Sequence, residues 1–233
     1  MKTLKLCLGL SLITGLSACV SITNNEVALG GGPVITEYPV ETALLNIYTQ
    51  PRTETLTEVD SVQSRTVNTK VTPKGVISFE GKRVQGAEFE SVTTVEGNVI
   101  SRSTSINYFS LNPARFYGYT DSSGEYSVAT QTAEIPKVAR VGDSGALLTE
   151  NVYSDSSKRS QISRYQQSWS LTQASPATAW FCISTSQNLL SNVSDGSTVE
   201  CYNINAKGDI LNSKATASIP TANGIETVTY TSR

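Results

Sequence analysis

Histidine is missing from all 233 residues, methionine occurs once, and only four cysteines are present. Without imidazole there is no Ser-His-Asp or Cys-His catalytic unit, no His metal ligand and no His-based pH switch. Charge is sparse and nearly balanced, at 18 basic against 20 acidic side chains, which excludes a surface built for polyanions such as nucleic acid. The sequence has no P-loop, no G-x-G-x-x-G and no EF-hand spacing of its carboxylates, so neither a cofactor nor a metal is expected. What it has in abundance is hydroxyl: 31 Ser and 28 Thr, a bias toward strands and turns rather than helices.

Lys2 and Lys5 lead into an apolar stretch from Leu6 to Leu16, shorter than the roughly 20 apolar residues of a permanent span but suited to a secretory signal. It ends in Leu16-Ser17-Ala18-Cys19. This segment resembles the lipobox of bacterial lipoproteins, a resemblance that covers only the beginning of the chain. It implies a signal peptide over residues 1–18, cleavage before Cys19, and acylation of the Cys19 sulfur and its new amino group. With Val20 in place of Asp, it also implies sorting to the outer membrane, facing the periplasm or the cell surface. Each buried CH₂ contributes about 0.8 kcal/mol, so two or three acyl chains hold a protein on a membrane where one does not. The membrane, reached through lipid on Cys19, is the partner this resemblance implies.

Export also frames the other cysteines. Cys7 leaves with the signal, and Cys182 and Cys201 remain as a pair in an oxidising compartment, which predicts one disulfide. Both lie in apolar-alternating segments, so the bond is expected between neighbouring strands, with a stabilisation of about 3 kcal/mol on the chain-entropy view.

Residues 20–60 carry six acidic side chains against Arg52 alone, whereas residues 61–233 carry 15 basic and 14 acidic ones. Together with Gly30-Gly31-Gly32-Pro33, this marks residues 19–60 as a lipid anchor and acidic tether and residues 61–233 as the folded domain. Pro39 to Tyr48 fits two patterns. Val40, Leu44, Ile47 and Tyr48 would share a helix face, and Ala43, Leu45 and Ile47 alternate as in a strand; extended structure is the expectation. From Thr66 onward short alternating segments follow one another, among them Thr66 to Val71, Gly75 to Phe79, Glu88 to Val95, Asn98 to Leu111 and Ala177 to Thr185. Turn-forming clusters separate them, such as Pro73-Lys74-Gly75 and Glu96-Gly97-Asn98. The pattern predicts an all-β antiparallel meander closed as a sandwich, a barrel or an open curved half-barrel.

One motif resembles chemistry. Gly142-Asp143-Ser144-Gly145 is similar to the sequence around the nucleophile of chymotrypsin-like serine proteases, but that family needs a His base and this chain has none. A turn is the expectation there, and no catalytic residue is assigned. Glu88 and Glu90 flank Phe89 and are expected on the solvent face of one strand. The aromatics fall into two sets, Tyr108 to Tyr126 and Tyr165 to Tyr202, expected chiefly as core. The consecutive pairs Phe116-Tyr117 and Trp180-Phe181 must point to opposite faces. The expectation for function is a non-catalytic binding or structural module of the envelope, with an apolar ligand, a glycan or an envelope protein as partner. A carrier of lipid, similar only in outline to periplasmic lipoprotein-sorting proteins, comes second, and a hydrolase third.

Overall fold

The computed structural model describes residues 34–190, 196–221 and 224–232. Cys19 and its surroundings, and with them the expected signal and anchor, lie outside the described residues. The chain begins with a two-residue strand, β1 (Glu37–Tyr38), and a ten-residue helix, α1 (Val40–Thr49). Then come β2 (Arg52–Glu58), β3 (Arg65–Phe79), β4 (Lys82–Val95), β5 (Asn98–Leu111), β6 (Ala114–Asp121) and β7 (Tyr126–Thr132). A second short strand, β8 (Ala139–Arg140), pairs with β1. The remainder is β9 (Ser144–Tyr153), β10 (Gln161–Ser175), β11 (Thr178–Thr185), β12 (Ser197–Ile204), β13 (Ile210–Thr221) and β14 (Gly224–Ser232).

Apart from β1 and β8, the strands form one closed barrel of twelve, each paired antiparallel with its neighbours in the chain. The circle is completed where β14 meets β2, at Tyr230↔Glu58, Thr231↔Thr57 and Ser232↔Leu56. The all-β meander is therefore a barrel, neither a sandwich nor an open half-barrel.

Three expectations for the beginning of the domain are corrected. The tether does not extend to residue 60, because β2 is a wall strand, bonded to β3 on one side and β14 on the other. Pro39 to Tyr48 is helical rather than extended. Val40, Ala43, Leu44 and Ile47, at the spacing of one helix face, are all at most 2% exposed. The Pro39 carbonyl accepts the first helical bond from the Ala43 N–H, and Pro51 ends the helix by forcing Gln50 into extended backbone. Finally, Pro73-Lys74-Gly75 is a bulge inside one long strand, not a turn between two, since pairing with β4 continues on both sides of it.

An eight-stranded barrel is just filled by its own side chains, and one of twelve leaves more room than wall residues can fill. Here α1 enters one end. Its buried face joins Phe109, Trp169, Leu171, Phe181 and Ile204, contributed by four wall strands, in a single core cluster. Burying each Leu, Ile or Val of this helix contributes roughly 1.5–3 kcal/mol. The helix is fixed from below by the β12–β13 turn, where Asn46 Nδ2 donates to the Gly208 carbonyl at 3.0 Å. Gly208 has φ +81°, and a Cβ there would stand 3.2 Å from the Ala43 nitrogen and Pro39, so the turn can approach the helix only as glycine.

Candidate functional site

Above the helix the barrel is not filled. A cavity of about 340 Å³ lies between Tyr48 on α1 and side chains of β4, β5, β6, β9, β11 and β12, reaching the rim at Ser103 and Asp121. A second lobe of about 290 Å³, between β2, β3, β12, β13 and β14, shares Phe89, Glu200 and Tyr202 with it.

Strand alternation decides what lines this space. Cys182 and Cys201 are directly opposite each other on β11 and β12 and form the disulfide, 19 residues apart in sequence. It lies on the outer wall with Trp180 and Lys214, whose ammonium stands 4.3 Å from the indole centroid. Their neighbours Phe181, Ile183, Glu200 and Tyr202 consequently point inward. The pairs Phe116-Tyr117 and Trp180-Phe181 do point to opposite faces. Of the first aromatic set, Phe109, Phe116 and Tyr119 face the lumen. Tyr108, Tyr117 and Tyr126 face outward and are covered by the far end of the β3–β4 hairpin. There Phe79 stacks on Tyr108 at 4.0 Å and Tyr126 at 5.3 Å, and Glu80 accepts hydrogen bonds from Tyr126 Oη and Lys158 Nζ.

Two carboxylates line the inner part of the cavity, Glu150 buried and Glu200 exposed. Glu150 on β9 is 6% exposed; its oxygens accept from Ser127 Oγ at 2.6 Å and Gln167 Nε2 at 3.4 Å. Burial raises its carboxyl above the ordinary value, and the Ser127 hydroxyl offsets this only in part. Glu200 on β12 accepts from the Tyr202 hydroxyl at 3.1 Å. Asp121 stands at the mouth, where its Oδ1 also accepts the Ser123 and Glu125 N–H groups of the β6–β7 turn. The rings respond to this field. Burial, reinforced by Glu200 and Glu150, pushes the Tyr48 hydroxyl well up, and burial with Glu150 and Glu125 does the same to Tyr119. Tyr48 itself leans on Phe116, with centroids 4.6 Å apart, and on Phe89 and Phe109, both at 5.5 Å.

The residues singled out from sequence fall elsewhere. Gly142-Asp143-Ser144-Gly145 is a turn into β9, in which Asp143 Oδ2 accepts the Arg140 N–H at 2.8 Å, and Ser144 is exposed. Glu88 and Glu90 are on the outer wall, paired with Lys74 at 3.2 Å and Lys70 at 3.5 Å. Sequence reasoning missed Glu150, Glu200 and Tyr48. The signal for Glu200 was available, because a disulfide on the outer face fixes residues 200 and 202 on the inner one. A larger hollow of about 670 Å³ crosses β9 to β12, but it is open to solvent and lined mainly by Ser, Thr, Ala and Gln.

The ion pairs of Glu88 with Lys74 and Glu90 with Lys70 stand at mid-strand on the outer wall, where a transmembrane barrel carries an apolar band. The fold and cavity define a closed barrel with one plugged end and a hollow lumen. No protein-family model matches the chain, and no curated protein or solved structure matches it either.

Proposed function

We propose that this chain is an outer-membrane lipoprotein, anchored through Cys19, whose barrel is a non-catalytic binding module with the lumen as its ligand seat. The observation that carries the reading is the 340 Å³ cavity, left open above a helix that fills the other end and furnished with both ring faces and hydrogen-bonding groups. The lipobox resemblance supports the anchor, and the disulfide is in keeping with an oxidising compartment.

The carrier of an acyl chain is the weaker reading, because such a chain would lay hydrocarbon against the carboxylates of Glu150, Glu200 and Asp121. Native mass spectrometry of gently purified protein tests the reading. A stoichiometric small molecule that is lost when Asn107→Trp fills the lumen is the expected result. A fatty acid or phospholipid would favour the carrier, and an empty lumen indifferent to Asn107→Trp would overturn the binding reading. Cys19→Ala is expected to abolish palmitate labelling, and continued labelling would refute the anchor.

A further inference from the structure

The cavity has a sign. Its lining carries Asp121, Glu150 and Glu200 and, among the described residues, no Lys or Arg. Two cations, Lys214 and Arg52, belong to the adjacent lobe, the latter with its guanidinium carbon 5.6 Å from the Tyr202 ring centroid. Its Nη1 is also engaged, donating to the Ile47 carbonyl at 2.7 Å. The same lining carries the rings of Tyr48, Phe89, Tyr119 and Tyr202. Ring faces carry negative potential, and a cation held over them in a desolvated pocket gains more than one at an exposed site. Rings interleaved with carboxylates are thus complementary to a soft organic cation, and they repel anions.

We propose that the lumen binds a small organic ammonium ion, its charged nitrogen held between the rings of Tyr48 and Tyr202 and the Glu150 and Glu200 carboxylates. This rests on the reading of the lumen as a ligand seat and gives that seat a chemistry. Size sets a bound. At about 30 Å³ for each water-sized group, 340 Å³ accommodates on the order of ten non-hydrogen atoms. Quaternary amines and short polyamines fall within it. Anions would meet three carboxylates. Asp121 at the mouth gives an incoming cation its first contact.

The test uses the full lipoprotein in nonionic detergent, titrated calorimetrically with choline, with spermidine, and with neohexanol, the neutral isostere of choline in which carbon replaces the ammonium nitrogen. Choline or spermidine is expected to bind, and neohexanol at least about tenfold more weakly than choline. Glu200→Gln, which keeps the side-chain volume, is expected to weaken the ammonium probes about tenfold and leave the thermal midpoint unchanged. Equal binding of choline and neohexanol, or no binding of either ammonium probe at millimolar concentration, overturns the proposal. If native mass spectrometry then finds a neutral ligand in the lumen, the ammonium assignment falls and the binding reading stands. If the lumen is empty and takes no probe, both fall.

Discussion

The two ends of the barrel are enclosed by the same strands and filled by opposite chemistry. At the plugged end Phe109, Trp169, Leu171, Phe181 and Ile204 pack on α1 with exposures of at most 5%. Further along some of the same strands, Glu150, Gln167 and Glu200 face a hollow. The first arrangement gains stability from dense apolar contact. The second holds a buried carboxylate, Glu150, whose burial opposes folding. Stability is concentrated at the plugged end, while the other end keeps a hollow.

Four measurements break or sharpen this contrast, the largest effect first. Leu44→Ala, on the fully buried face of α1, is expected to lower the unfolding free energy by about 2–5 kcal/mol in a denaturant titration. A loss below about 1 kcal/mol would mean that the helix is not the plug that holds the barrel. Replacing Cys182 and Cys201 together by Ala should cost about 3 kcal/mol, because the bond closes a loop of 19 residues that includes the β11–β12 connection at the open end.

Glu150→Gln is expected to act in the other direction, raising stability at neutral pH by about 1 kcal/mol. The sign follows from its raised carboxyl. The folded protein holds this proton more tightly than the unfolded chain, so stability falls as pH rises from the ordinary carboxylate range through the folded value, and Gln removes that fall. Stability curves of both proteins across the acidic range check this, and parallel curves would refute it. Glu80→Gln gives the smallest effect, below about 1 kcal/mol, because the pair with Lys158 is about one-third exposed and screened. Its carboxyl is held below the ordinary value by Lys158 first and Tyr126 second. Its contribution is therefore present at neutral pH and lost as pH falls through that lowered value, opposite in sense to Glu150.

How much of this was legible depended on what each residue faces. β5 was read with its observed bounds, Asn98 to Leu111, because a turn at Glu96-Gly97 precedes it and Asn112-Pro113 follows. β2 went unread as a strand because Leu56 is its only apolar residue. Its inward positions Arg52 and Glu54 face the wet second lobe, so the alternation of apolar and polar residues that marks a half-buried strand is missing. Helix α1 was misread because ten residues are too few to separate the two periods. What settles its identity is the space inside a wide barrel, which no local pattern reports.

By itself the sequence determined the β character, turns such as Glu96-Gly97-Asn98, the cysteine pair and the exclusion of imidazole chemistry, because these depend on local backbone preference and on residue inventory. Only the tertiary structure decided that the meander closes, that a helix fills one end, and that Asp121, Glu150 and Glu200 share one cavity. Closure joins β14 to β2 across almost the whole domain, and inward direction is set by strand register around a complete circle. Neither quantity exists until the last strand has met the first.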